Sequence, residues 1–255
     1  MKQAAVDATR RATIWASAIA FLALAYATWL PTPWGPAPDW TGATDVTAPM
    51  TRLLLFYHPA SAWASFVGYL VTFGLSIAYL NERRLRDDTT ARAAAEAGFL
   101  MNTIALATGT LWGIQEWYKE GRSGLATVYS DPKVLVVVVL WLTFAAYLLL
   151  RRLVDGPQRR ARLAAVFGIL GFLGVPASYL VGQALPTDLH PVIGGPAAKG
   201  LHAATISPYE SGLLLLSFIA FTLLFVHLFL ARLRLARLED RVDELEETLE
   251  TPHAQ

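Results

Sequence analysis

Residues 134–150 read VLVVVVLWLTFAAYLLL, an uncharged run followed at once by Arg151-Arg152 and then by Arg159-Arg160 and Arg162. A bilayer core of about 30 Å needs about 20 mostly apolar helical residues, so this run predicts a helix that crosses a membrane, and the arginines mark the side on which it stops. Five further stretches have the same character, at residues 13–30, 53–80, 93–112, 163–185 and 212–230, each bounded by charge or by Pro and Gly. Composition agrees with them. Of the 255 residues, 55% are hydrophobic and only 16% charged, too little charge to solvate a globular surface, which argues against a soluble, disordered or nucleic-acid-binding protein. Because unpaired backbone groups are costly in lipid, the six runs should be helices packed into one bundle. The expected fold is therefore an all-α integral membrane protein, with six transmembrane helices in residues 1–234 and a short C-terminal helical extension over 235–255.

The net charge is only +1, but the 21 Lys and Arg are divided unevenly. Sixteen fall in the N-terminal segment (Lys2, Arg10, Arg11), the second connection (Arg83, Arg84, Arg86, Arg92), the fourth (Arg151, Arg152, Arg159, Arg160, Arg162) and the tail (Arg232, Arg234, Arg237, Arg241). The other five, Arg52, Lys119, Arg122, Lys133 and Lys199, lie on the opposite side. Cations in short loops are retained in the cytoplasm, so both termini are expected there and the connections 31–49, 113–132 and 186–208 outside. Arg10-Arg11, the apolar run behind them and Ala25-Tyr26-Ala27 also resemble a cleavable signal peptide, but the long apolar run and the interfacial Trp29 favour a retained span. Cysteine is absent, which excludes disulfides, thiolate metal sites and covalent haem attachment within this chain.

Beyond the last span, Leu235, Leu238, Val242, Leu245 and Leu249 recur at alternating three- and four-residue steps with Glu and Arg between them. That is a short heptad seam, to be read either as a solvated extension of the span or as a coiled coil for self-association or partner docking.

Polar residues in or beside a span are the informative ones, since each is expensive to place there. His58 lies a little inside the outer end of the second span and is followed by Pro59; His190 lies just beyond the outer end of the fifth and is followed by Pro191. His202 is also outside, whereas His227 and His253 are on the inner side. Singly, such histidines are ordinary hydrogen-bonded or loop residues. As a pair at similar depth they suit a flat porphyrin, because neutral imidazole is a common axial ligand of haem iron. Zinc would want three or four ligands and a nucleophilic triad an orienting acid, and the outer face offers neither pattern. The connection running Trp112-Gly113-Ile114-Gln115-Glu116-Trp117-Tyr118 to Tyr129-Ser130-Asp131-Pro132-Lys133 is rich in aromatics. Aromatic faces at a membrane surface suit a flat apolar ligand, and they are also what an interfacial belt contains.

These pieces resemble the CcmC-type haem exporter C family of cytochrome c maturation. The resemblance covers about residues 50–235. It rests on Arg52-Leu53-Leu54-Leu55-Phe56-Tyr57-His58-Pro59-Ala60-Ser61-Ala62-Trp63, on Thr108-Gly109-Thr110-Leu111-Trp112-Gly113, on Asp131-Pro132-Lys133, and on Val175-Pro176 leading to Leu189-His190-Pro191. It implies that His58 and His190 are axial ligands of the haem iron and that Trp112, Trp117, Tyr129 and Asp131 are the loop residues that hold the porphyrin. Arg52 and Lys133, at span boundaries, are the candidate partners of the propionates. Here Tyr129-Ser130 precedes Asp131 where the family has tryptophans, and the family's His-x-Pro is shortened to His-Pro. The resemblance further implies a non-enzymatic role: transient, non-covalent binding of haem b at the outer face of the plasma membrane (bacterial inner or archaeal cell membrane). The haem would pass to an extracytoplasmic haem chaperone (CcmE-like), with ABC-type exporter subunits (CcmA/CcmB-like) and a small membrane subunit (CcmD-like) as partners.

Two alternatives belong to other classes. A bis-histidine cytochrome b subunit of a quinol oxidoreductase would want haem ligands deeper in the spans, and His227 on the inner half lacks a mate there. A haem-free transporter subunit explains the hydrophobicity but not the paired outer histidines. Gly168, Gly171 and Gly174 then read as close-packing sites, and no intramembrane acidic residue is expected to couple ions.

Overall fold

The structure, a computed structural model, describes residues 2–29, 48–116, 124–185 and 208–250. Eight helices occupy these segments: α1 Lys2–Trp29, α2 Ala48–Glu82, α3 Leu85–Glu116, the single turn α4 Leu125–Val128, α5 Pro132–Leu153, α6 Pro157–Phe172, α7 Gly174–Ala184 and α8 Pro208–Glu250. No strand occurs among the described residues. Five segments are long and apolar enough to cross a bilayer: Phe56–Glu82, Leu85–Ile114, Pro132–Leu153, Pro157–Gly182 and Ser211–Val242. The first expected span falls on α1, whose apolar stretch Arg11–Ala23 is shorter. Large apolar side chains such as Trp15, Leu70, Leu111, Leu149, Leu170 and Leu215 are more than half exposed, as a surface that meets lipid rather than water allows.

The helix boundaries follow from local chemistry. At α5 the Asp131 carboxylate accepts the backbone N–H of Lys133 and Val134, both at 3.0 Å, and Pro132 takes the first helical position, where a missing N–H costs nothing. The helix then runs through the quoted apolar stretch to Arg151 and Arg152, cations that suit a C-terminal turn. The expected fifth span is broken at Leu173, three residues before Pro176. Proline has no N–H to give the Phe172 carbonyl and its ring crowds that turn, so one span becomes two helices at a kink.

The second connection is much tighter than expected. Only Arg83 and Arg84 separate α2 from α3, and Arg83 takes the left-handed conformation, φ 56°, with its N–H bonded to the Tyr79 carbonyl at 2.7 Å. Residues 85–92, expected in a loop, are the first turns of α3, so the expectation that the spans hold no acidic residue is corrected: Asp88 and Glu96 both lie on α3 within the apolar segment Leu85–Ile114.

Between helices in lipid the hydrophobic effect offers little, so close van der Waals packing has to hold the bundle together. Small residues supply it. A Cβ on Gly68 of α2 would lie 2.8 Å from the Cα of Gly98 on α3, which means that the two backbones touch there. Ala93, Ala94, Ala95 and Ala97 are buried around α3 beside this contact. The three glycines of α6 and α7 are close-packing sites as expected: Gly168 faces Thr72 and Ser76 of α2, Gly171 faces Thr143 and Phe144 of α5, and Gly174 faces Leu140. Tyr69 stacks on Phe144 with ring centroids 3.6 Å apart, joining α2 to α5. On the other flank Phe221 and Phe225 of α8 pack on Ala60, Ala64, Ala97 and Met101, while α1 lies on α8 through Ala20, Ala220 and the Phe21–Phe221 edge contact.

One end of this bundle collects the arginines and their partners. Arg151 of α5 makes a two-pronged pair with Asp88 of α3, both contacts 2.6 Å, with side chains only 7% and 9% exposed. Arg232 of α8 pairs with Glu96 of α3 and with Glu239, which also receives Arg92, and Thr89 donates to Asp240. These contacts fasten α8 to α3 at that end of the bundle. At the tail, α8 continues through residue 235 to Glu250 without a break.

Candidate functional site

The opposite end of the bundle gathers the N-terminal turns of α2 and α8, the C-terminal turns of α3 and α7, the short helix α4 and the start of α5. His58 lies in the first turn of the apolar segment of α2 and is directed at α3. Its Nδ1 is 2.9 Å from the carbonyl oxygen of Ala105. A carbonyl can only accept, so the proton of the neutral ring sits on Nδ1 and the acceptor lone pair on Nε2, the arrangement that presents an imidazole to a metal. One turn further along α3, Gly109 makes room for the ring: a Cβ there would fall 2.6 Å from Cε1 and 2.8 Å from Nδ1 of His58. Real Cβ atoms do not approach that closely. The imidazole is thus held by a backbone acceptor at Nδ1 and by a missing side chain beside Cε1 and Nδ1. Pro59, directly after it, stays within α2, and the residues below, Ser61 and Ser65, are buried and donate to the carbonyls of His58 and Ala62.

The aromatic connection is placed in part. Val128 of α4 is buried under Trp112, Ile114 and Val134, and the Tyr129 hydroxyl lies 3.0 Å from Thr110 Oγ1. Trp112 and Tyr129 therefore clamp α4 onto the end of α3. Asp131 is 1% exposed and its Oδ1 caps α5, so its described role is to start that helix. Lys133 follows it, with its stem beside Gly182 of α7: a Cβ on that glycine would be 3.5 Å from Lys133 Cδ. Lys133 is thus brought next to the helix whose continuation leads to His190. Arg52 is on α2, six residues before His58. His190 and Trp117 lie outside the described residues, as does the placement of the Arg52 side chain.

The structure brings together His58, Trp112, Tyr129, Asp131 and Lys133 at one end, opposite the arginine cluster, as the uneven charge division anticipates. Sequence reading did not single out Gly109 or Ala105, although Gly109 stands in the quoted segment Thr108 to Gly113; a helical glycine four residues from a small residue, opposite a histidine-bearing helix, is the signal that was available. Among the described residues no cluster of three or more metal-ligating side chains occurs.

Comparison with known proteins points the same way. A family model described as cytochrome c assembly protein matches residues 2–190. The chain is 33% identical over 215 residues to heme exporter protein C of Bradyrhizobium diazoefficiens, a match that covers 82% of this chain and 74% of that protein. It is 28% identical to heme exporter protein C of Paracoccus denitrificans over 72% of both chains. A shorter similarity, 30% over 115 residues, links it to the cytochrome c biogenesis protein CcsA of Prochlorococcus marinus, covering 45% of this chain and 32% of that one.

Proposed function

Because the chain belongs to the cytochrome c assembly family and, within it, to the haem exporter protein C group, we propose that it is a multi-pass membrane protein that binds haem at its outer face and hands it on during cytochrome c maturation. The observation that carries the reading is the mounting of His58. Its Nδ1 proton is engaged by the Ala105 carbonyl and its ring rests on Gly109, which is how a protein orients an imidazole whose other nitrogen is to meet iron.

In this reading His58 and His190 are the two axial ligands, Arg52 and Lys133 receive the propionates, and Trp117 contributes an aromatic face. Trp112, Tyr129 and Asp131 act one step back, by fixing α4 and the start of α5. Haem is the cargo, of the b type and held without covalent attachment, in keeping with the absence of cysteine. The chain needs no bond chemistry of its own. The acceptor is an extracytoplasmic haem chaperone, and the partners are subunits of an ABC-type exporter with a small membrane subunit beside them. Residues 1–234 would form a six-span domain, with α1 as the first span against α8, both termini in the cytoplasm of a cell with this protein in its plasma membrane, and 235–255 a cytoplasmic tail.

The test is an absorption spectrum of the protein purified from haem-replete cells. Wild type is expected to show a Soret band that is lost in His58→Ala and in His190→Ala. A wild type without the band, or both variants with it intact, overturns the proposal.

A further inference from the structure

Where α8 leaves the bundle it has two unlike faces. Leu233 and Ala236 are buried and the Asp240 carboxylate accepts from Thr89, so this side lies on α3. At 100° per residue the opposite side carries Leu235, Leu238, Val242 and Leu245, which are 51%, 57%, 51% and 63% exposed. Leu249 follows in the same register by sequence. The spacing makes 235, 242 and 249 the a positions of a heptad and 238 and 245 the d positions. Four large apolar residues in one file, past the uncharged run 211–231 and interspersed with Arg234, Arg237, Glu239 and Arg241, lie where charge density calls for water rather than lipid, and an exposed apolar file in water is an interaction surface.

The flanking charges say what covers it. The g positions are Arg234 and Arg241 and the e positions Glu239 and Glu246. In a parallel two-stranded coiled coil each g residue meets the e residue of the next heptad on the other strand, which pairs Arg234 with Glu239 and Arg241 with Glu246, opposite charges both times. In the antiparallel arrangement g meets g and e meets e, which sets Arg against Arg and Glu against Glu. Glu239 also serves Arg92 and Arg232 within its own chain, so Arg241 with Glu246, both exposed, is the more telling pair. A β-branched Val242 at a with Leu238 and Leu245 at d favours two strands. Two copies of this chain in one bilayer, related by a two-fold axis along the membrane normal, send their α8 helices out on the same side and hence parallel.

We propose that residues 235–249 of α8 form an in-register parallel coiled coil with the same segment of a second copy of this chain. Two heptads are too few to dimerise strongly as a free peptide. Confinement of both copies to a membrane, with their helices already oriented, supplies the effective concentration that the short seam lacks. The inference stands apart from the haem reading, since it uses no residue of the histidine end.

The native chain has no cysteine, so a single one reports unambiguously. The full-length protein carrying Val242→Cys, oxidised in its native membranes, is expected to give a disulfide-linked homodimer, whereas Arg237→Cys, at an outer c position, is not. Direction is tested by charge reversal in the Val242→Cys background. Glu239→Arg with Glu246→Arg should abolish the cross-link, and co-expression with Arg234→Glu and Arg241→Glu in the other copy should restore it. Equal cross-linking at 237 and 242, no cross-link at either, capture of a different protein at 242, or a cross-link indifferent to charge reversal each overturns the proposal.

Discussion

Gly109→Ala is the sharpest perturbation of the histidine site, because it adds one methyl group and replaces no side chain that would itself meet haem. The added Cβ would stand 2.6 Å from His58 Cε1 and 2.8 Å from Nδ1, so the ring must retreat by about 0.8 Å to reach ordinary contact near 3.4 Å. The Nδ1 to Ala105 contact starts at 2.9 Å and lies on the same side of the ring, so a retreat of that size carries it past the range of a hydrogen bond. Loss of such an orienting partner typically lowers metal affinity by about 10- to 100-fold, or about 1.4 to 2.8 kcal/mol at about 1.4 kcal/mol per decade. Helix propensity moves the other way, since alanine is favoured over glycine by about 1 kcal/mol in a helix interior, so a binding defect of this kind is not a disguised folding defect. Haem titrated into purified, haem-depleted protein and followed at the Soret maximum measures the affinity, with thermal denaturation of the same samples as the control. Gly74→Ala, where a Cβ would meet nothing within 4 Å, should leave haem binding unchanged and gain only the helix-propensity increment in stability. If Gly109→Ala binds haem as tightly as wild type and with the same Soret position, the argued mounting of His58 is wrong.

Four other outcomes are expected. Replacing one member of the buried Arg151–Asp88 pair, as in Asp88→Asn or Arg151→Met, should cost about 3 to 5 kcal/mol in detergent-solubilised unfolding, and the apolar double variant Asp88→Leu with Arg151→Met should recover most of it; equal losses in single and double variants would contradict the pairing. Asp131→Ala should destabilise by about 1 kcal/mol while Asp131→Asn, an equally good cap without the charge, stays near wild type in both stability and haem binding. A haem defect in Asp131→Asn would instead make the charge itself a contact. Gly68→Val, which drives a side chain into the backbone at Gly98, should lower stability by about 1 to 3 kcal/mol or prevent folding, and a folded protein with an unchanged melting temperature counts against the α2–α3 contact. Orientation is read with membrane-impermeant maleimide on intact cells: Ser130→Cys should label from outside and Gly156→Cys only after permeabilisation, and the reverse pattern inverts the proposed topology.

How much of this was legible in the sequence depends on how local each signal is. The 134–150 run, the kink at Pro176 and the packing role of Gly168, Gly171 and Gly174 were readable because a span, a proline and a small residue act on their own neighbourhood. The start of α3 was not. Asp87 and Asp88 look like loop charges, and Glu96 passes unremarked inside an apolar run, until Arg151 and Arg232 arrive from helices far along the chain to pair with Asp88 and Glu96. Asp131-Pro132 before an apolar run is a helix-start signature, yet the family resemblance points to the porphyrin instead, and the Asp131 carboxylate caps α5. His58 was found for its chemistry, but what holds it, one carbonyl and one absent methyl group, has no side-chain signal at all.

The two-residue turn at Arg83-Arg84 turns α2 and α3 into a ruler folded at its midpoint. Twenty-five residues counted back from Arg83 reach His58, and twenty-five counted forward from Arg84 reach Gly109, with Gly68 against Gly98 on the way. What stands opposite the histidine is therefore indexed by chain length alone. One residue added to either arm between the turn and the site would shift the facing helix by about 1.5 Å and rotate it by about 100°, presenting the ring with Thr108 or Thr110 where Gly109 belongs. Drift in the other helices can be absorbed at the kink, the loops or the tail; on this hairpin, length is itself part of the recognition code.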